Sequence, residues 1–299
     1  MNYLLMTVSI FFAALNSLIL RKFKNRTFST SGDVFFFNGA ISIIWIIIML
    51  LWTAFSDDFV FSLPAIFFGI IYGIILCMFL YFKTESLASG PVSLTTLIGS
   101  CAFIVATGFG VIYNNETVSI PQAIGMVLIL VSLIMCIFPQ KSGEKLTLKW
   151  FFFCFMFFLA GGFVGIFYKV FGKSSAKEQV NLMMLCASVT SAILFFFSGI
   201  LINGIKKEPF PKIKKEALLF ILLSGIAGCV YIRLNVSLSK VIPSAIFFPV
   251  SNGAMVIIST FAGWILFKEK LNKLQVAGIC LGLFAIIING CGDVLFSLL

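Results

Sequence analysis

Ten apolar runs, each about as long as a bilayer core is thick, take up nearly the whole chain: residues 2–20, 34–55, 64–82, 87–112, 118–138, 148–171, 179–203, 217–239, 243–267 and 272–297. A helix needs roughly 20 apolar residues to cross that core. Only short polar connections separate the runs, and no stretch is left over for a soluble domain. Of 299 residues, 61% are hydrophobic and 11% charged, whereas a soluble domain carries about 25% charged residues. Lipid is therefore the solvent. The runs predict an all-α integral membrane protein with ten transmembrane helices, multi-pass in the cytoplasmic (plasma) membrane.

The net charge of +10 sits in the connections and forms no basic face on a soluble domain, so it is read as a topology signal and not as a nucleic-acid surface. Connections after odd-numbered runs hold sixteen Lys and Arg and the remainder five. Positive charge stays inside, which places the odd connections in the cytoplasm and both chain ends outside. Lys169, Lys173 and Lys177 oppose that assignment. Only Met1 and Asn2 precede the first run, so the positive region that opens a cleavable signal peptide is missing. The eight cysteines all fall inside runs, none in a C-x-x-C pair, and read as small packing residues. The chain has no histidine, which excludes His-ligated metals and any triad with a histidine base. It carries no phosphate-binding G-x-x-x-x-G-K-[ST] motif. We expect no cofactor and no enzymatic activity.

The chain repeats itself. Sliding residues 92–138 forward by 153 positions lays Glu116 on Glu269, Gln122 on Gln275 and Gly125 on Gly278. Further back, Ser86-Leu87 pairs with Ser237-Leu238, and Arg21 falls near Lys169. Residues 1–140 and 141–299 thus read as two copies of a five-helix unit. Five is odd, so the second copy enters the membrane from the opposite face and the copies are inverted. Inverted repeats are a common basis of alternating access, in which the halves exchange conformations around a central site.

The segment 249–290, with Pro249-Val250 followed by Gly-Trp-Ile-Leu-Phe-Lys-Glu-Lys-Leu and Gln-Val-Ala-Gly-Ile, resembles the end of an EamA-type repeat of the drug/metabolite transporter superfamily. The resemblance covers the whole chain by helix count and repeat order and is sharpest over about 237–290. It implies a central cavity lined by helices 1 to 4 and 6 to 9, with helices 5 and 10 peripheral. Many members of that superfamily keep both termini in the cytoplasm, opposite to the charge count here.

Pro249 lies inside the ninth run, where it removes a backbone donor. A freed carbonyl in lipid must be met by protein or cavity water, so Ser251 and Asn252 just beyond it are candidates for substrate binding; the other reading is a packing kink with Asn252 bonded to a neighbouring helix. Ser93, Thr96 and Ser100 are spaced to share one helix face. Asn16, Asn38 and Tyr72 interrupt apolar runs and complete the candidate cavity wall, Tyr72 having packing between Gly69 and Gly73 as its alternative. Arg233 stands several residues before the end of run eight. Either it snorkels to the outer surface or it faces inward beside Asn235 and receives a carboxylate or phosphate. Glu85 and Glu116 are expected at the interface, and Trp52 and Trp150, near span ends, as interface anchors.

Helices 1 and 6 contain no Asp or Glu, whereas the small multidrug-resistance relatives, by resemblance, carry an embedded Glu in their first helix. A buried acid is the simplest counter-ion for a cationic drug. The expectation is therefore a secondary carrier for a small polar metabolite, neutral, zwitterionic or anionic. A multidrug cation exporter of the same fold and a non-transporting membrane scaffold are the alternatives. Partners would be the small-molecule substrate and membrane lipid. Gly278-x-x-x-Gly282 permits close helix contact within a monomer or across a homodimer.

Overall fold

The structure, a computed structural model, describes residues 1–27, 32–55, 61–89, 92–137, 147–209, 215–267 and 272–297. Among them lie eleven helices: α1 (Asn2–Thr27), α2 (Asp33–Phe55), α3 (Leu63–Ser89), α4 (Val92–Ser100), α5 (Phe103–Asn114), α6 (Ile120–Ile137), α7 (Leu148–Lys173), α8 (Val180–Lys206), α9 (Lys215–Leu238), α10 (Ser244–Phe267) and α11 (Lys273–Ser297). Nine stretches of the described residues are long and apolar enough to cross a membrane, and Ile120–Cys136 adds a shorter apolar helix. The protein is an all-α multi-pass membrane protein.

The fourth run departs from expectation. Residues 87–89 continue α3, and the span that follows is two helices, broken at Cys101 and Ala102. At the break the bonding tightens to the i−3 pattern. The Cys101 N–H is shared between the carbonyls of Leu97 (3.1 Å) and Ile98 (3.2 Å), and the Ala102 N–H reaches Gly99 (3.2 Å). A short 3₁₀ passage of this kind keeps the backbone groups bonded while interrupting the helix.

Two compact units form. One contains Met1–Met6, Phe79–Lys169 and Leu238–Leu299; the other contains Thr7–Met78 and Val170–Ser237. Each draws helices from both halves of the sequence.

In the first unit α6 and α11 run antiparallel in close contact. A Cβ on Gly125 would lie 2.6 Å from Asn289 Cβ, and one on Gly278 would lie 2.8 Å from Met135 Cβ and 3.0 Å from Cys136 Sγ. The pairs 125/289 and 136/278 are the same contact made twice under the 153-residue slide. The polar bonds obey the same rule. The Gln275 amide donates to the Cys136 carbonyl (3.2 Å), and Asn289, in the place of Cys136, donates to the carbonyl of Gln122, in the place of Gln275 (2.9 Å). Each glutamine also closes a capping box at its helix start. Gln122 Oε1 accepts from the Ser119 N–H while Ser119 Oγ accepts from the Gln122 N–H; Gln275 and Asn272 do the same. The repeated Gln-x-x-Gly is thus a helix start followed by a close-approach point. Gly278 and Gly282 are both occupied within the unit, Gly282 by Ser132 and Ile257, and Ser132 Oγ donates to the Gly278 carbonyl at 2.7 Å.

In the second unit α2 and α8 repeat the design with another motif. Phe36-x-x-Gly39 and Phe196-x-x-Gly199 face each other, so that a Cβ on Gly39 would meet the Phe196 ring at 3.0 Å and one on Gly199 the Phe36 ring at 2.9 Å. The two rings lie 6.1 Å apart between centroids. Ser42 and Ser191 share a hydrogen bond of 3.1 Å farther along the seam.

Candidate functional site

Pro249 stands inside α10, almost wholly buried. It cannot donate to the carbonyl of Ala245, four residues back. Among the described residues Asn252 bonds its own helix: its amide donates to the Phe248 carbonyl one turn earlier at 2.9 Å. Ser251 Oγ is buried with no hydrogen-bond partner among the described residues. α10 packs against both pieces of the broken span, α4 and α5, and against α6 and α11. The slide that relates the repeats lays Pro249 on Thr96, five residues before Cys101. A helix with an internal proline and a broken span therefore lie against each other in one unit.

On α4, Ser100 is buried, whereas the side chains of Ser93 and Thr96 lie outside the described residues. The buried hydroxyl that organises this helix is Thr95, which accepts from the Trp150 indole N–H at 2.9 Å. Trp150 is thus no interface anchor: it is 4% exposed and packs inward because its N–H has this partner. The α4 face was read from hydroxyl spacing alone, and Thr95 was missed because its partner is 55 residues away.

The remaining candidates belong to the second unit. Asn16 accepts from Ser224 Oγ at 2.5 Å and Asn235 accepts from Ser9 Oγ at 2.6 Å. α1 and α9 are joined by two Ser-to-Asn bonds, each helix giving one residue of each kind. Asn38 donates to the Val34 carbonyl of its own helix at 2.6 Å. Tyr72 is buried to 1% exposure, and its flanking Gly69 and Gly73 lie on the backbone of α8 at Met183 and Ala187.

The Arg233 guanidinium stacks over the Trp52 ring, 4.3 Å from its centroid, and Nε donates to Asn181 Oδ1 at 3.1 Å. Trp52 is in the last turn of α2 and Asn181 in the first turn of α8, so the charge sits level with helix ends. Trp52 itself is 46% exposed. Arg233 and Asn235, two residues apart on α9, do not converge on one partner.

Glu116 and Lys169 were expected at the interface and in a connection. Lys169 instead lies within α7 and is 6% exposed, its Nζ 3.0 Å from Oε1 of Glu116, which is 19% exposed. A paired lysine inside a helix is not a free topology charge, and one of the three objections to the assigned orientation is removed. The only sequence signal for this pair was the repetition of Glu116 at position 269, and Glu269 lies outside the described residues. Burial pushes the Glu116 carboxyl up, but the Ser244 N–H and the Lys169 ammonium outweigh it and hold the group below the ordinary glutamate value.

Residues 148–291 match the EamA-like transporter family. The match points to a membrane transporter of the drug/metabolite type. One solved crystal structure shares the fold with a TM-score of 0.78, covering 97% of this chain and 96% of its own at 12% identity; the likeness concerns the fold alone. No curated protein matches the sequence.

Proposed function

We propose that the protein is a secondary carrier that moves a small neutral, zwitterionic or anionic metabolite across the cytoplasmic membrane by alternating access between its two inverted repeats, residues 1–140 and 141–299. The observation that carries this reading is the packing of α10, which lacks one backbone donor at Pro249, on the α4–α5 span, broken at Cys101–Ala102. Paired interrupted helices in the two halves of a transporter mark its binding site. Ser251 offers a buried hydroxyl there without a protein partner, and an unsatisfied buried polar atom costs about 1–3 kcal/mol unless something meets it. A substrate hydroxyl, amide or carboxylate can supply the missing bond. The carrier works as a monomer or homodimer, with both termini outside. The α1 and α7 helices carry no Asp or Glu for proton coupling, so the proposed mode is uniport or exchange.

Reconstitution into liposomes tests this. Counterflow of labelled serine, glutamate, uridine and glucose is compared with that of tetraphenylphosphonium, without ATP. Accumulation of at least one polar solute in protein-containing liposomes supports the proposal. Accumulation of the lipophilic cation alone makes the protein a multidrug exporter, and no accumulation of any probe overturns the carrier reading.

A further inference from the structure

The entry of α10 is held from far away in sequence. A helix start is ordinarily capped by the residue just before it, but here that residue is Pro243, which has no side-chain acceptor. The Ser244 N–H instead donates to Oε2 of Glu116 at 2.5 Å, 128 residues away. Oε1 of the same carboxylate takes Lys169 Nζ at 3.0 Å, and Lys169 Nζ also donates to the Ile242 carbonyl at 2.9 Å. One ion pair thus grips the α9–α10 turn at a carbonyl and at an N–H two residues later. The carboxylate is aimed by the end of α5. Asn115 takes a left-handed conformation (φ 53°) with its N–H on the Gly110 carbonyl, and the Glu116 N–H joins the same carbonyl at 3.2 Å. Asn114 adds an amide donor to Oε1 at 3.3 Å. Gly110 leaves the room this needs: a Cβ there would collide with Ser244 Oγ.

This arrangement ties three chain segments with one charge pair: the α5–α6 turn, the end of α7 and the start of α10. All three belong to the first unit, and the chain leaves that unit directly after Lys169 and re-enters it at Leu238. Two near-buried charges have an expensive alternative, because either one left alone in a dry site is strongly unfavourable. The pair is therefore either made or, when the segments part, opened to water as a whole. Intermediate separations are disfavoured, which is the property of a two-state contact.

We propose that Glu116 and Lys169 form an electrostatic latch that holds the α9–α10 turn onto the ends of α5 and α7, and that its breakage frees the start of α10 as one concerted opening of this face. The role of that opening in transport rests on the carrier reading; the latch itself does not.

Hydrogen–deuterium exchange with mass spectrometry on the full chain in lipid nanodiscs tests the latch without any substrate. In the parent protein, peptides covering 114–119, 166–171 and 240–246 are expected to open together, with correlated exchange kinetics. Glu116→Gln removes the charge and should speed exchange in those three peptides by roughly ten- to hundred-fold, the factor carried by one charge-assisted hydrogen bond, while peptides of α2 and α8 stay at parent rates. The swapped pair Glu116→Lys with Lys169→Glu should recover part of the protection, and Glu116→Asp, which keeps the charge, serves if Glu116→Gln fails to fold. Independent exchange of the three peptides in the parent, unchanged rates in the neutral variant, or a uniform rise over the whole chain would each overturn the latch. Absence of transport in the liposome assay, with these exchange results intact, would remove the carrier reading and leave the latch standing.

Discussion

Gly125 places its bare α-carbon against the backbone of Asn289, with room for no side-chain atom between α6 and α11. Overpacking a close helix contact costs about 1–3 kcal/mol. Gly125→Ala and Gly278→Ala are expected to lower the melting temperature in detergent, and Gly125→Leu to abolish monodisperse protein. Gly108→Ala is the control, since a Cβ at Gly108 meets nothing within 4 Å and alanine is the better helix former; a drop as large as that of Gly125→Ala would show that close helix contact is not what is being measured.

Ser251 and Pro249 make opposite predictions for stability and transport. Ser251→Ala removes an unpartnered buried hydroxyl, so stability should stay level or rise slightly, while transport weakens through a higher KM. Pro249→Ala restores a donor for the Ala245 carbonyl and removes a residue that costs a helix interior about 3 kcal/mol. The variant is expected to melt higher and turn over more slowly. Counterflow and thermal denaturation on the same preparations measure both; a destabilised Ser251→Ala with unchanged KM would assign the hydroxyl to packing.

Arg233 gives a test of side-chain shape at constant charge. Its flat face covers Trp52 and its Nε is committed to Asn181. Lysine has neither a planar face nor that donor geometry. Arg233→Lys should therefore lose nearly as much stability as Arg233→Ala, about 1 kcal/mol, the scale of an interfacial cation–π contact. Full rescue by lysine in thermal denaturation would show that charge alone matters there.

Glu116 sets a pH window. Its carboxyl is held below the ordinary glutamate value, so its contribution is complete above that value and is lost as the pH falls through the lowered one. Lys169 is the charged group facing it. The melting-temperature gap between the parent and Glu116→Gln should be constant from neutral to mildly acidic pH and shrink only in stronger acid. Removing one member of the pair costs about 1.5–3 kcal/mol, the scale of a charge-assisted hydrogen bond, and removing both, as in Glu116→Gln with Lys169→Met, should cost less than the two single changes added together. A gap that closes near neutral pH would contradict the direction of the carboxyl shift.

The helices were readable because lipid demands unbroken apolar length, and that demand is written residue by residue. Gln122, Gly125 and their partners at 275 and 278 were readable as a repetition, although their work became clear only from the capping boxes and the α6–α11 seam. The matching motif of α2 and α8, Phe36-x-x-Gly39 with Phe196-x-x-Gly199, escaped notice because it recurs at 160 residues and not at 153; the intervening connections differ in length. Lys169 and Thr95 were invisible for another reason. Whether a polar residue in an apolar run is exposed or satisfied depends on partners 53 and 55 positions away, and hydrophobic periodicity carries no information about such distant pairing.

Because Gly39 of α2 meets α8 and Gly125 of α6 meets α11, the early helices leave the ribosome with those glycine faces uncovered. They must wait in the bilayer until the later ones are synthesised. A product truncated near its midpoint would hold two such grooves open to lipid and to stray helices, and membrane quality control would have a specific surface by which to recognise it.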